Sequence, residues 1–291
     1  MNKPSVRSVQ AMVLITYFLI NDNHASDGWA FSGILTRQAY ALGLHRDPNI
    51  VVANATSFEK QSRLKLWQAV LLQDTFLTVL LSLPPSATHT DVSVTSLFTD
   101  DTSSTDTAYI NLSWRLAYLV QHSVSTPRQN KAPPTIPRNP HPLSPQIPHQ
   151  ATRTPLRTLR QTLFLTSNYH HNIMLLHSSS SLQVAMDIPG ALDAAHFAIH
   201  AFFKLWEVFR AEAKVWWVFH HRAFLEALCI GGILKGDDED SRNPRLAEDD
   251  PFFVRGREDI VRMIDIMRQM SEGEHGSKVA LTRISVLSAY I

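Results

Sequence analysis

The 291-residue chain has one cysteine, Cys229. A single cysteine excludes an internal disulfide, and within these residues it also excludes a zinc cluster built on several thiolates. The thiol lies in the apolar run EALCIGG, which favours a small buried side chain over a reactive nucleophile. With no disulfide framework, we expect a reducing compartment such as the cytosol or nucleus.

Charge is sparse and balanced. Charged residues make up 18% of the chain, the formal net charge is +1, and 44% of the residues are hydrophobic. This composition supports a large buried core. A domain that binds nucleic acid usually carries a basic excess or a basic stripe, and neither is visible in the sequence. Composition therefore gives no electrostatic reason to expect direct contact with DNA or RNA.

Long apolar runs are also missing. The most apolar stretch near the start, AMVLITYFLI (11–20), is about half as long as a membrane-spanning helix. The first residues do not show the charged, apolar and small-residue regions of a signal peptide in succession. We therefore expect no membrane contact.

Apolar residues recur at helical spacing along most of the chain, and strand-like alternation never lasts more than a few residues. The predicted fold class is all-α, an irregular multi-helix bundle with a long proline-rich disordered insert. Helices are predicted at about 6–20, 27–42, 58–83, 108–124, 156–182, 252–272 and 278–290. One or two more are predicted within 190–236, with a break near residues 212–214.

The proline-rich insert divides the chain. Nine of its sixteen prolines lie between Pro127 and Pro155, and neither a helix nor a central strand forms on such a sequence. We therefore predict that residues 6–125 are the first part of a helical domain and that 126–155 are a low-complexity linker. Residues 156–291 are predicted to be the C-terminal helical part of the same domain.

Sequence motifs for catalysis are missing. There is no G-x-S-x-G elbow and no glycine-rich phosphate loop. His196 and His200 share one helix face at a spacing that can chelate a metal, but no acidic third ligand is near them in sequence. We therefore predict no catalytic, cofactor-binding or metal-binding residues, and no enzyme.

The stretch QAYALGLHRDP (38–48) has the pattern of a helix ending. Gly43 suits the left-handed position that follows a helix, and Leu44 would fold back as its apolar contact. The side chains of His45 and Arg46 are predicted to bind the last free carbonyl groups of the helix or to interact with the negative end of its dipole. Pro48 then prevents the helix from continuing.

Asp74 is a carboxylate in an otherwise apolar helix segment, WQAVLLQDTFL. A buried carboxylate requires a charged or hydrogen-bonding partner. We predict an ion pair with Arg37 or Arg46 that holds two helices in register. A catalytic acid is the alternative interpretation.

The stretch WAFSGILTRQAYALGLHRDP (29–48), followed by a charged helix start, a tryptophan and an aspartate, resembles the middle homology region of fungal-specific transcription factors. This is the xylanolytic-activator-type regulatory domain that lies downstream of a binuclear zinc cluster. Residues 167–177 resemble a later helix of the same family. The predicted motif residues are Trp29, Gly33, Arg37, Leu42, Gly43, Leu44, His45, Arg46, Asp47, Trp67 and Asp74.

The resemblance implies an α-helical regulatory domain that modulates transcription by RNA polymerase II in the nucleus, through intramolecular or partner contacts. The implied partners are the transcription machinery or corepressor proteins, and dimerisation is left open. DNA would be reached only indirectly, and the family's zinc belongs to a six-cysteine cluster that these residues do not contain. The alternative is a stand-alone α-helical interaction scaffold, or a truncated gene product, with no DNA role.

The sequence also departs from the family pattern. Leu64 interrupts the basic run, Gln68 stands where a second aromatic residue is frequent, and SLPP (82–85) replaces a turn that often contains glycine. The linker 126–155 falls where the family continues with helices. Our hypothesis is that this segment comes from a frame error or a retained intron, and that the missing zinc cluster has a similar origin.

Overall fold

The computed structural model describes residues 4–87, 105–125, 155–178, 185–236, 249–272 and 278–291. All regular structure in these ranges is helical, with no strand, which confirms the predicted all-α class. The helices are α1 (Val6–Asn21), α2 (Ala25–Ala41), α3 (Pro48–Val51), α4 (Ser57–Leu81), α5 (Thr105–Ser125), α6 (Leu156–Ser178), α7 (Ile188–Val208), α8 (Arg210–Val215), α9 (Trp217–Lys235), α10 (Pro251–Ser271) and α11 (Lys278–Leu287), followed by one 3₁₀ turn (Ser288–Tyr290).

The chain divides into two compact units, Met1–Pro133 and Pro134–Ile291. Most of the predicted linker, residues 126–154, lies outside the described residues. That the two helical parts form one domain therefore stays a prediction.

The core of the first unit is built from apolar residues of four helices and of the segments between them. Its buried apolar residues come from α1, α2, α4 and α5 and from the segments that follow α2 and α4. They include Val9, Val13, Leu35, Ala39, Leu44, Trp67, Val70, Leu71, Ala87 and Trp114.

Helix α1 is buried on one side only. Val9 and Val13 lie in the core, whereas Leu14 and Phe18 are 69% and 64% exposed. Because residues 6–20 are apolar on nearly every side, the sequence predicts a buried helix, and that prediction is wrong for α1. Its apolar sequence is two-sided, but α2 and α4 cover one of the two sides.

Helical spacing in α2 predicts that Ile34 and Leu35 face the core and that Thr36 faces away from it. The structure buries a face that is rotated from this one. Ser32, Leu35, Thr36 and Ala39 form the buried stripe, while Ile34, a predicted core residue, is 50% exposed. The prediction that Thr36 faces away from the core is also wrong. Positions 32, 35, 36 and 39 share a helix face, so burying Leu35 and Ala39 buries the two hydroxyl residues as well.

Helix α4 begins one residue earlier than predicted and ends in a left-handed residue. The N-cap is Thr56, not Ser57, and its hydroxyl accepts a hydrogen bond from the Glu59 N–H at 3.2 Å. At the other end Ser82 has φ +54°, a conformation that favours glycine. A serine thus occupies the left-handed position at the end of this helix.

Helix α4 is also long and apolar enough to cross a membrane by length and composition. However, 61% of its most apolar window is buried within the protein, and its first two turns carry charged residues. Such a pattern is typical of a core helix in a folded domain.

The second unit contains α6 to α11. The break predicted near 212–214 is in fact two breaks, at Phe209 and Trp216, with the short α8 between them. In α10 the predicted core residues Ile264, Met267 and Met270 are buried. Val261 is exposed instead, because Ile260 and Met263 complete the buried stripe at helical spacing.

The left-handed serine yields a stability prediction. Ser82→Gly should raise the free energy of unfolding by up to about 1 kcal/mol, since glycine adopts positive φ without a steric cost. Urea unfolding of the full chain measures the change. The matched control is Ser62→Gly inside α4, where glycine should lower stability by roughly 0.5 kcal/mol. A neutral or destabilising result at Ser82 would argue against the left-handed cap.

Candidate functional site

The motif residues meet where α2 ends. Gly43 has φ +67°, its N–H donates to the Tyr40 carbonyl at 2.8 Å, and the Leu44 N–H donates to the Ala39 carbonyl at 3.0 Å. These two bonds define a Schellman ending. Leu44 is fully buried as its apolar contact, so the predicted helix stop is confirmed.

The Leu42 carbonyl at this helix end accepts a hydrogen bond from a residue of α4. The guanidinium of Arg63 donates to the Leu42 carbonyl. The sequence offered His45 and Arg46 for this carbonyl role, but the side chain that donates to the Leu42 carbonyl is that of Arg63. Arg46 is exposed, and only its backbone N–H takes part, donating to the Gly43 carbonyl at 3.2 Å. Arg63 therefore links the end of α2 to the first turns of α4.

His45 belongs to an aromatic cluster. Its ring lies 4.8 Å from the Tyr40 ring and 6.1 Å from the Trp67 ring, both edge-on, and Tyr40 and Trp67 are 5.4 Å apart between centroids. Trp67 is fully buried. The histidine ring thus packs against the joint between α2 and α4.

Asp47 starts a helix that the sequence did not predict. Its carboxylate accepts a hydrogen bond from the Asn49 N–H at 2.8 Å, and Pro48 occupies the first position of α3. Residues 48–51, a predicted loop, form one helical turn. His45, Arg46 and Asp47 therefore have three separate structural roles and do not converge on a reactive centre.

Asp74 holds the segment that follows α4. Its carboxylate accepts hydrogen bonds from the Ser86 N–H at 2.9 Å and the Ala87 N–H at 3.1 Å. The left-handed turn at Ser82 directs the chain back along α4, which brings these two donors to the carboxylate. Burial raises the pKa of Asp74, and the hydrogen bonds from Ala87 and Ser86 oppose that shift.

The predicted ion pair of Asp74 is therefore wrong. Arg37 folds along its own helix and donates to the Gly33 carbonyl at 3.1 Å, and Arg46 is exposed. Backbone donors 12 and 13 residues further on fill the role instead. Almost every residue type has a backbone N–H, so the sequence could not indicate which two would bind Asp74.

The two remaining motif residues lie on α2. Trp29 is half-buried in its first turns, and a Cβ added at Gly33 would lie 3.9 Å from the Ser86 hydroxyl. Several of the motif residues thus lie at one joint between α2, α4 and residues 86–87. Every contact described for it is structural.

In the second unit, the structure brings together three side chains that can ligate a metal. His196 Nδ1 lies 2.6 Å from one oxygen of Asp259, and His200 Nε2 lies 2.8 Å from the other. Sequence spacing directs the search for an acidic third ligand to the neighbours of these histidines in the chain, whereas α10 supplies one from about 60 residues away. Burial raises the pKa of Asp259, but the hydrogen bonds from the two histidines outweigh burial and hold that pKa below its ordinary value.

A second polar cluster in this unit is fully buried. His171 Nδ1 lies 3.1 Å from Glu226 Oε1, and both side chains are shielded from solvent. Burial raises the pKa of Glu226 to about 8, against the opposing effect of Arg222, and burial lowers the pKa of His171 well below its usual value. Both groups are therefore mainly neutral near pH 7. No substrate reaches them, so this is a core hydrogen bond.

Cys229 fits the expectation of an inert thiol. It is half-buried, and burial raises its pKa to about 11. The thiol therefore stays protonated at neutral pH and is a poor nucleophile.

The helix ending yields a second prediction. Gly43→Ala should lower the free energy of unfolding by about 1 kcal/mol or more, because alanine is strained at positive φ and its Cβ would lie 3.3 Å from Val51. Urea unfolding measures the loss. Gly232→Ala in α9 is the control: an added Cβ meets nothing within 4 Å, so alanine should stabilise by roughly 0.5 to 1 kcal/mol. An unchanged midpoint for Gly43→Ala would contradict the assigned cap.

The buried glutamate yields a prediction about pH. Between the ordinary glutamate pKa and about 8, folded Glu226 keeps a proton that the unfolded chain has released. Stability should therefore fall as pH rises through this window. Glu226→Gln cannot ionise, so its stability relative to the wild type should increase from about pH 6.5 to about pH 8. Histidine ionisation contributes to the stability of both proteins and largely cancels in this difference.

The measurement is urea unfolding across that pH range. Glu258→Gln, the same substitution at an exposed position of α10, is the control and should follow the wild-type curve. A constant difference between Glu226→Gln and wild type would show that Glu226 ionises normally in the folded protein.

Comparison with known proteins finds a family match for the first part of the chain. Residues 1–129 match the family described as "Fungal specific transcription factor domain". No curated protein and no solved structure matches the chain. The matched range includes all the motif residues from Trp29 to Asp74, and the family is one of regulatory domains rather than of enzymes. The resemblance predicted from the sequence is thus confirmed over residues 1–129, which match the fungal-specific transcription factor domain family.

Proposed function

We propose that this domain modulates transcription by RNA polymerase II in the nucleus, through intramolecular contacts or contacts with the transcription machinery or a corepressor. DNA would be reached indirectly, through a segment or partner that supplies the zinc cluster. The proposal rests on the family match of residues 1–129.

The structure of the joint supports a mechanism based on helix packing. Gly43, Arg63 and Asp74 are all engaged in holding α2, α4 and residues 86–87 together. None of them is available for chemistry on a substrate. A domain whose family motif is used in this way acts through the positions of its helices, and so through the surfaces they present.

A stand-alone interaction scaffold without a DNA role is the second candidate. The observation that favours it is the balanced charge of the chain, +1 overall, which provides no attraction to nucleic acid. The two candidates differ in whether the chain changes transcription when it is brought to a promoter.

A reporter assay separates them. The full chain, fused to an unrelated DNA-binding domain in a fungal cell, should change reporter output several-fold relative to that DNA-binding domain alone. Leu44→Ala, at a buried position of the joint, should reduce the change, while Leu281→Ala, at an exposed position of α11, should leave it intact. The protein level of each fusion is measured in the same cells as its reporter output.

Equal output from the fusion and from the DNA-binding domain alone would reject the regulatory proposal and favour the scaffold. If the fusion is active but Leu44→Ala behaves like Leu281→Ala at equal protein level, the mechanism based on the joint is wrong.

A further inference from the structure

Helices α7 and α10 are joined by a series of polar contacts. Asp193 pairs with Arg255, His196 and His200 with Asp259, and Glu207 with Arg262. Residues further along α7 pair with residues further along α10, so the two helices run parallel in this region. The two outer ion pairs fix the register of the helices and hold Asp259 opposite the two histidines.

The three central side chains present three ligand atoms to one point. One ring nitrogen of His196, one ring nitrogen of His200 and one carboxylate oxygen of Asp259 all lie within 4.8 Å of one another. Zinc bound at its usual distances to nitrogen and oxygen places tetrahedral ligands about 3.3 Å apart. The observed separations of 2.6 and 2.8 Å from nitrogen to oxygen are a little shorter, so small side-chain rotations make room for an ion.

The local charge favours a cation. Asp259 brings a carboxylate, and each imidazole has a ring nitrogen whose lone pair can bind a cation. The arginines on either side do not neutralise the carboxylate, because Arg255 is paired with Asp193 and Arg262 with Glu207. The two imidazole rings are 4.0 Å apart between centroids, a separation at which two protonated rings would repel each other.

Access to the cluster is one-sided. The Asp259 side chain is 4% exposed, that of His196 is 18% and that of His200 is 38%. An ion can therefore enter beside His200, and a water can fill the remaining position. Three protein ligands with one open position is an arrangement that zinc adopts in proteins.

We propose that His196, His200 and Asp259 bind one divalent transition-metal ion of the zinc class. Imidazole nitrogens select Zn²⁺, Co²⁺ or Ni²⁺ over Mg²⁺ and Ca²⁺, which require mainly oxygen ligands. On binding, the ion replaces the two N–H···O hydrogen bonds, and each imidazole carries its proton on the opposite ring nitrogen. The site is independent of the transcription factor domain and of its proposed function.

Calorimetric titration with Zn²⁺ tests the proposal on the full chain, after removal of metal with a chelator. Because the chain has 14 histidines, the variants rather than total binding decide the outcome. The wild type should bind one equivalent that His200→Ala and Asp259→Asn weaken at least tenfold. Zn²⁺ should also raise the melting temperature of the wild type but not of these variants.

His177→Ala is the matched control. It removes another histidine–aspartate contact of the same unit, His177 Nδ1 to Asp187 at 2.9 Å, without touching the cluster, and it should bind Zn²⁺ as the wild type does. Circular dichroism checks that each variant keeps its helical content. If Asp259→Asn does not fold, the partly exposed His200→Ala decides the test.

Co²⁺ gives a second, spectroscopic measurement. Bound at this cluster, it should show the visible absorption of a four-coordinate ion in the wild type and in His177→Ala, and lose it in His200→Ala. The proposal is overturned if the wild type binds no Zn²⁺, or if His200→Ala and Asp259→Asn bind it as tightly as the wild type.

Discussion

At the end of α2, the left-handed turn of Gly43 reverses the chain and inserts Leu44 into the core of the first unit. The same turn leaves the Leu42 carbonyl facing α4, where Arg63 donates to it. It also sets His45 against the rings of Tyr40 and Trp67. One residue without a Cβ thus determines where α2 ends, which side chain enters the core next and how α4 is attached.

Asp74 performs a similar task at the other end of α4. Its carboxylate is withdrawn from water, which is unfavourable for a charge unless donors replace the water. Ser86 and Ala87 supply those donors because Ser82 and the two prolines after it return the chain toward the helix. Near each end of α4, a side chain of the helix is therefore hydrogen-bonded to the backbone of another segment. In each of these bonds only one partner, Arg63 or Asp74, depends on the identity of a side chain.

The features that the sequence predicted correctly are the local ones. Helix content follows from apolar spacing, and the Gly43–Leu44 ending follows from residue types within six positions of each other. The features it missed depend on distant neighbours. Whether Ile34 or Thr36 is buried depends on which side α4 covers.

The same holds for the polar contacts. The partner of Asp74 is a loop backbone, and the partner of His196 and His200 is on α10, about 60 residues away. No spacing rule within α7 indicates Asp259. The aspartate becomes visible as a third ligand only once the fold has set two parallel helices side by side.

The central claim is that the end of α2 and the first turns of α4 form one energetic unit through Gly43 and Arg63. A double-mutant cycle with Gly43→Ala and Arg63→Met, measured by urea unfolding of the full chain, tests it most directly. If both residues serve the same helix end, their effects should be coupled by about 0.5 kcal/mol or more. Effects that add within about 0.3 kcal/mol would show that the two residues act independently and would contradict the account.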